Sequence, residues 1–180
     1  NDHTIVCDPY VLKRADFLVM ESTYGNRLHK AEISAETPRF AKIVNDTFYR
    51  GGNVVIPAFA VDRTQDILML INGLQRNKQI ADCTVYVDSP LAIKATEIFA
   101  SHPQYFDRLT ISLFNEQGKA PFMLENLVYT RTAEESQRLN AVKSGAIIIS
   151  ASGMADAGRI KHHLKHNLWR KESSVVFFGY

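Results

Sequence analysis

The sequence predicts an α/β fold built on a mainly parallel, doubly wound (Rossmann-like) sheet with helices on both faces. Short, β-branched apolar runs alternate along the chain with amphipathic stretches of helical spacing. The apolar runs are continuous and do not alternate with polar residues, which is typical of strands that are covered on both faces. Strand–helix repetition of this kind implies right-handed crossovers, and these generate a doubly wound sheet.

Six segments are predicted to be strands. The first is the wholly apolar run Phe17-Leu18-Val19-Met20, and the second follows the turn signal Gly51-Gly52. The others are also short, continuous and rich in β-branched residues. The predicted strands are residues 17–20, 53–57, 84–88, 126–129, 146–150 and 174–178.

Helical patterns fill the stretches between these runs. Asp62 is predicted to cap one helix, and Ser89 is predicted to cap another that has Pro90 in its first position. Residues 108–122 form the least regular stretch of the chain. The predicted helices span residues 34–49, 62–74, 89–99, 133–142 and 158–168.

Bulk composition describes an ordinary single domain. The 180 residues are 46% hydrophobic and 22% charged, and no apolar run approaches the ~18 residues of a membrane span. Cys7 and Cys83 match no metal or disulfide pattern, so two buried or half-buried free thiols in a reducing cytoplasm are expected. A cytoplasmic location without a membrane partner is therefore predicted. The chain begins without Met, which we interpret as a processed chain or an excised piece.

A net charge of +2 does not by itself indicate nucleic-acid binding, because clustered charge matters more than the total. One cluster exists, and the solvated face of a helix explains it about as well as an anionic partner does. It comprises eight basic residues in thirteen positions: Arg159, Lys161, His162, His163, Lys165, His166, Arg170 and Lys171.

Candidate chemistry lies where the predicted strands end, because ligands of open parallel sheets bind beyond the carboxyl ends of the strands. Glu21 directly follows the first predicted strand, where a carboxylate is either a cap for the next turn or a functional group at the sheet edge. Arg63 either points into the same crevice or pairs with Asp62 or Asp66, and pairing is the simpler interpretation.

The loop at 150–159 is the most suggestive of these strand ends. Its backbone N–H groups, the dipole of the following helix and Arg159 together suit an anion. The alternative is a tight turn whose glycines serve geometry alone. His162 and His166 are one helical turn apart, but no acidic or cysteine partner is near, so a surface helix is preferred to a metal site.

Five motifs in order resemble the β-CASP proteins, which are RNA-processing nucleases of the metallo-β-lactamase fold. That family includes the cleavage and polyadenylation endonuclease and the RNase J group. The motifs are Glu21-Ser-Thr-Tyr-Gly25, Pro57-Ala-Phe-Ala-Val-Asp-Arg63-Thr-Gln65, Asp88-Ser-Pro-Leu-Ala92, Ser152-Gly-Met154 with Gly158-Arg159-Ile-x-His-His163-Leu, and Phe178-Gly179-Tyr180.

The resemblance implies hydrolysis of RNA phosphodiester bonds with two zinc ions in a full-length parent. The family's His-x-His-x-Asp-His cluster and its two late histidines fall outside residues 1–180, so this chain is expected to hold no metal and to be inactive alone. Residues 1–26 would belong to the metallo-β-lactamase half and 27–180 to the β-CASP domain. The implied partners are RNA and the missing metallo-β-lactamase half. A homodimer is predicted separately, from the edge that the first apolar strand would expose.

The resemblance also implies roles for single residues. Glu21 matches an acidic residue that orients a catalytic histidine without holding metal. Ala157 departs from the Gly-Gly-Arg of some relatives, which bears on the turn because alanine tolerates positive φ poorly. The residues implied to contact RNA or phosphate are Ser22, Thr23, Tyr24, Arg63, Ser89, Ser152, Gly153, Met154 and Arg159.

Two hypotheses from other classes compete with this one. A stand-alone Rossmann-like module that binds a nucleotide or another phosphate ligand would need a deep preformed pocket. A structural or interaction domain without a ligand would use its first apolar strand as an edge for pairing, because exposed edges seek partners.

Overall fold

The computed structural model describes residues 5–8, 10–23, 25–26 and 33–178 of the chain. Within them five strands form one parallel sheet with the order β3-β2-β4-β1-β5. This arrangement confirms the predicted α/β class. The strands are β1 (Val54–Pro57), β2 (Thr84–Val87), β3 (Leu127–Tyr129), β4 (Ala146–Ser150) and β5 (Ser174–Val175).

Helices connect the strands, and two short 3-10 turns, Pro103–Tyr105 and Leu139–Ala141, continue or join them. None of the described helices is long and apolar enough to cross a membrane. The helices are α1 (Ile33–Tyr49), α2 (Arg63–Arg76), α3 (Pro90–Ala100), α4 (Arg108–Gln117), α5 (Ala133–Arg138) and α6 (Ile160–Asn167).

The strand order explains why helices cover both faces. From β1 the chain moves past the position of β4 to β2 and β3, then returns to β4 and finally crosses to β5 on the other side. Right-handed crossovers in opposite directions place their helices on opposite faces of the sheet. Accordingly α2 packs beside α3, whereas α6, in the reversed connection, packs over β1.

The two central strands carry the core. Every residue of β1 and β4 is buried, and the two strands pair in register from Val54 opposite Ile147 to Pro57 opposite Ser150. A strand covered on both faces has no solvent side, so its sequence stays apolar throughout. The prediction of β1 and β4 from their continuous apolar runs is therefore confirmed.

The strand predicted at residues 17–20 is wrong. No ladder partner pairs with this run within the described part of the chain, and Phe17 and Val19 are 94% and 98% exposed. An extended segment becomes a strand only when a neighbour accepts its backbone hydrogen bonds. Ile5 to Cys7 behaves differently, because Ile5 is buried in the core and Val6 forms an antiparallel bridge with Phe106.

The predicted cap at Asp62 is also wrong. Asp62 precedes α2, but its side chain makes no capping hydrogen bond, and its φ of 70° and ψ of −67° belong to a γ-turn. The backbone N–H of Arg63 donates to the Val61 carbonyl across that turn at 2.9 Å. The Thr64 hydroxyl instead donates to the Phe59 carbonyl at 2.7 Å and ties the first turn of α2 to the end of β1.

The stretch that the sequence left least regular contains α4. Asp107 caps this helix by accepting from the Thr110 backbone N–H at 2.7 Å, and Gly118 ends it with a left-handed φ of 66°. Most of the residues in this helix are exposed, and the sequence pattern did not predict it.

Candidate functional site

The loops that follow β1, β2 and β4 meet at the carboxyl edge of the sheet. The Ala58 N–H donates to the Ser150 carbonyl at 3.0 Å, and the Asp88 N–H donates to the Ile149 carbonyl at 2.8 Å. The Ser150 hydroxyl adds a bond to the Asp88 carbonyl at 2.8 Å. The parallel register thus brings three of the sequence-predicted strand ends together, as open parallel sheets require of a ligand site.

Asp88 is fully buried at this edge, and its carboxylate has four side-chain partners. Oδ1 accepts from the Thr130 hydroxyl at 2.5 Å and from Arg159 Nη1 at 2.8 Å. Oδ2 accepts from the Ser136 hydroxyl at 2.6 Å and lies 2.6 Å from His163 Nε2. A buried carboxylate is stable only when paired and hydrogen-bonded, and this network meets both needs.

The network fixes the ionisation of Asp88. Burial is the largest single influence and would raise the pKa of the carboxyl. The hydrogen bonds from His163, Ser136, Thr130 and Arg159 together outweigh it and hold the pKa of Asp88 far below its ordinary value. Asp88 is therefore ionised at neutral pH.

Arg159, predicted to contact phosphate, faces inward. Besides its bond to Asp88, Nη1 donates to the Thr130 carbonyl at 3.0 Å and Nη2 to the Arg131 carbonyl at 3.1 Å. Its side chain is 23% exposed. Arg131 in turn pairs with Glu97 at 2.6 Å. Any contact of Arg159 with an anion would use the donors that remain on its exposed rim.

The loop between β4 and α6 contains a close approach between two parts of its backbone. Gly158 has a φ of 78°, and a Cβ there would lie 2.4 Å from the Ala151 carbonyl oxygen, so glycine is required for geometry. The other positive φ in the loop falls at Ala155, and Ala157 is spared it. The sequence reading of the glycine as a geometric requirement is therefore correct for Gly158.

A carboxylate of the protein already occupies this loop. The Ser152 hydroxyl donates to Asp156 Oδ1, and this hydrogen bond is the main cause of a lowered pKa at Asp156. Backbone N–H groups of the same loop lower the pKa further. Asp156 is exposed, so its charge faces outward. An external phosphate at Ser152 would meet the negative charge of the Asp156 carboxylate.

Arg63 lies at the start of α2 beside this loop. Together with Phe59 and Gly153 it lines a shallow recess that also includes Phe177. No carboxylate among the described residues forms an ion pair with Arg63, so the predicted pairing with Asp62 or Asp66 is wrong. Of the two predicted cations, only Arg159 forms an ion pair with a carboxylate in the described part of the chain.

Ser89 and Met154 complete the predicted set at this edge. Ser89 caps α3 as the sequence predicts, because its Oγ accepts from the Ala92 N–H at 3.2 Å. Its side chain is buried, so a phosphate would have to share that oxygen. Met154 is 58% exposed at the rim of the loop.

Glu21, Ser22 and Thr23 belong to the segment that precedes α1 in the chain. Glu21 accepts from the Thr23 backbone N–H at 2.8 Å, and this bond lowers the pKa of its exposed carboxyl. The hydrogen bonds and ion pairs of the described residues do not connect Glu21 to the loops after β1, β2 and β4. Tyr24, predicted to contact RNA, lies outside the described residues, as do Gly179 and Tyr180.

Metal ligation does not fit the residues at hand. No three His, Cys, Asp or Glu side chains come together as a possible metal site in the part of the chain that the structure describes. His162 and His166 are both exposed on α6, and His163 is turned inward to Asp88. The Asp88 carboxylate that His163 contacts is already bonded to Arg159, Thr130 and Ser136, so these two side chains do not offer a zinc site.

Sequence reasoning missed the partners of Asp88. Asp88 was predicted only as the last residue of a strand and as part of a family motif, and Thr130, Ser136 and His163 come from distant parts of the chain. The spacing of polar residues within one segment carries no signal for such a cluster.

A sequence model of the Beta-Casp domain family matches residues 64–180, which is more than half of the chain. The chain belongs to the β-CASP family. The match covers the loops after β2 and β4 with the Asp88 network, and it confirms the resemblance carried by the five motifs.

Relatives with curated names agree with this membership. The chain is 35% identical to Ribonuclease TTHA0252 of Thermus thermophilus, 30% identical to Transcription termination factor FttA of Methanosarcina mazei and 28% identical to Probable RNase MJ4 of Methanocaldococcus jannaschii. These matches cover 98%, 99% and 95% of the chain but only 40%, 28% and 37% of the relatives. The chain thus spans less than half the length of each.

Proposed function

We propose that this chain is the RNA-clamping side of the active-site cleft in a zinc-dependent ribonuclease. The observation that carries the proposal is the convergence of the family's motif loops at one edge of the sheet, in a chain whose relatives include a protein named as a ribonuclease. RNA phosphates would lie along that edge, and the zinc ions would be held elsewhere in the parent protein. The chain alone would be inactive.

Charge at the edge supports one principal phosphate contact. Arg63 is half-buried, and no carboxylate among the described residues forms an ion pair with it, so none of them competes with a phosphate for its guanidinium. Guanidinium groups bind phosphate oxygens through fixed, charge-assisted hydrogen bonds. Arg159 would serve mainly to hold the loop after β4, through Asp88 and the carbonyls of Thr130 and Arg131.

Fluorescence anisotropy with a labelled single-stranded RNA tests the phosphate contact. Arg63→Ala is expected to weaken binding about tenfold, because a hydrogen bond to a charged group is lost. Arg108→Ala, which removes an exposed cation at the start of α4, is the matched control and should leave affinity within about twofold. Equal losses in both variants would contradict a phosphate site at this edge.

Hydrolysis of a fluorescent RNA with added zinc tests the proposed inactivity of the chain. Turnover that persists after removal of contaminating nucleases would overturn it.

A thermal-shift titration addresses the competing function, a module for mononucleotides. Stabilisation by a mononucleotide but not by oligo-RNA would favour that alternative and count against the clamp.

Asp156 provides a second test of the proposal, in which a substitution is expected to strengthen RNA binding. Its exposed carboxylate is bonded to the Ser152 hydroxyl at the predicted phosphate edge. Asp156→Asn removes a like charge and is expected to tighten RNA binding about two- to fivefold at low salt. Asp82→Asn, at an exposed position before β2, is the matched control. Unchanged affinity in Asp156→Asn would mean that RNA does not approach Ser152.

A further inference from the structure

The opposite edge of the sheet, where the strands begin, carries a second basic surface. Helix α6 starts beside β4, where the Ile160 N–H donates to the Ala151 carbonyl at 3.2 Å. It runs back across the sheet, and the turn after it leads into β5. The basic residues at its far end are therefore separated from the candidate cleft by the length of the helix.

Several segments meet at this second edge. The Gly145 N–H donates to the Gly52 carbonyl at 2.9 Å, and a Cβ on Gly52 would lie 2.0 Å from the Glu172 carbonyl oxygen. The segments at the ends of α1 and α6 and the loop before β4 thus lie close together at this edge. We call it the amino-edge patch, and it comprises Tyr49, Arg50, Lys143, Lys165, His166, Trp169, Arg170 and Lys171.

The two arginines of the patch are held by hydrogen bonds to uncharged groups. Arg50 Nη2 donates to the hydroxyls of Thr47 and Ser174 at 3.3 and 3.1 Å, and Arg170 Nη2 donates to the Lys143 carbonyl at 2.6 Å. Among the described residues no carboxylate forms an ion pair with a lysine or arginine of the patch.

Two carboxylates lie close to the patch in the chain. Asp46 is engaged by Lys42 at 2.6 Å, which leaves Glu172 as the neighbouring charge of opposite sign. Five lysines and arginines against one such carboxylate give the patch a net positive charge. A surface of this kind attracts a polyanion.

Exposed aromatic rings accompany the positive charge. Trp169 is 76% exposed between Leu168 and Arg170, and Tyr49 is 94% exposed next to Arg50. Flat rings interspersed with cations are what proteins use to bind single-stranded nucleic acid, because bases stack on the rings while phosphates meet the cations. An acidic protein surface would use the charge but would have no bases to stack.

We propose that the amino-edge patch is a binding surface for single-stranded RNA, separate from the cleft at the carboxyl edge. The inference rests on the proposed RNA substrate but adds a site that this function does not require. RNA held there would be a part of the strand distant from the bond that is cut.

Anisotropy of a labelled oligo-uridine bound to the whole chain, measured at several salt concentrations, tests the surface. Lys165→Glu/Lys171→Glu should weaken binding at least about tenfold and lower the salt slope by at least about one. Trp169→Ala should weaken it about tenfold without changing the salt slope, whereas Trp169→Phe should retain most of the affinity. All these side chains are exposed, and circular dichroism checks that each variant is folded.

Matched controls separate a specific surface from bulk charge. Lys78→Glu/Arg108→Glu changes the net charge equally at exposed positions outside the patch and should leave binding within about twofold. Equal weakening by this control, no effect of Trp169→Ala, or no binding by the unmodified chain would overturn the proposal. Displacement of RNA by poly-glutamate that is insensitive to Trp169→Ala would mean an acidic protein partner instead.

The same assay distinguishes failure of this surface from failure of the cleft. Arg63→Ala affects only the carboxyl edge, so its loss of affinity can persist when the patch variants have no effect. Conversely, an effect of the patch variants with none of Arg63→Ala would support the patch and count against the proposed clamp.

Discussion

Asp88 shows at the scale of one residue how the fold tolerates a buried charge. Taking a carboxylate out of water costs several kcal/mol, and the cost is offset here by two hydroxyls, a guanidinium and an imidazole drawn from four segments. Removing the charge would leave Arg159 and His163 without their shared partner. The carboxylate is therefore as important for the position of the loop after β4 as for stability.

Acid should unfold the chain in part through Asp88. Because its folded pKa is lowered, Asp88 contributes stability that is fully present above the unfolded pKa of about 4 and is lost as the pH falls towards the folded value. Asp88→Asn should lower the free energy of unfolding by about 3 kcal/mol at pH 7 and by less at pH 3. Urea titrations at both pH values measure this.

The control for Asp88 is Asp82→Asn, which changes an exposed aspartate before the same strand. It should leave the unfolding free energy nearly unchanged at both pH values. A deficit in Asp88→Asn that is the same at pH 7 and pH 3 would show that the carboxylate's ionisation contributes nothing.

The two thiols should differ sharply in reactivity. Burial raises the pKa of Cys83 to about 11; a hydrogen bond from Gln75 opposes the rise and the nearby Asp82 adds to it. Cys7 is exposed. Because the thiolate is the reactive species, a thiol reagent at pH 8 should modify Cys7 in the folded chain and Cys83 only after unfolding. Rapid labelling that survives in Cys7→Ser would contradict this assignment.

At the scale of elements, two helix starts that look alike in the sequence are built differently. Ser89 caps α3 through its side chain, whereas Asp62 occupies a γ-turn and caps nothing. Ser89→Ala should therefore lower the free energy of unfolding by about 1 kcal/mol, and Asp62→Ala by less than half of that. Chemical denaturation of the two variants compares them directly, and equal losses would contradict the difference between the caps.

Elements that could be predicted from the sequence are those whose signal is local. The apolar runs of β1 and β4 and the Ser-Pro start of α3 carry their own evidence, and they are confirmed. The run at 17–20 has the same composition, but a strand also needs a neighbour, and the sequence does not report one. The helix α4 was missed, and Thr110 is the one residue of this helix that is fully buried.

The candidate site divides in the same way. Arg63 and the loop at 150–159 were predicted from their positions after strands, and Ser89 was implied by the family resemblance. The parallel register does bring these loops together. Which of their groups are already engaged could not be predicted, because the partners lie far away in the chain. Asp88 meets His163 across 75 residues of sequence, and Arg159 meets the Thr130 carbonyl across 29.

At the scale of the whole molecule, the segment at 10–20 stands out as an apolar surface without cover in the described residues. Its large apolar side chains are 65–98% exposed, and contiguous exposed patches of this kind mark interaction sites. The proposed occupant is the metallo-β-lactamase half of a longer parent, since the relatives are more than twice as long as the region matched here. The exposed apolar side chains of this segment are those of Tyr10, Val11, Leu12, Phe17, Leu18, Val19 and Met20.

The chain on its own should then cover this surface with a second copy. Light scattering at rising concentration should detect self-association, because burying apolar area is favourable by about 25 cal/mol per Å². Phe17→Ser/Val19→Ser should shift the chain towards monomer. Ile98→Ser/Leu109→Ser removes two apolar side chains that are each 60% exposed elsewhere and should leave the association unchanged. A clean monomer at every concentration would contradict association through residues 10–20.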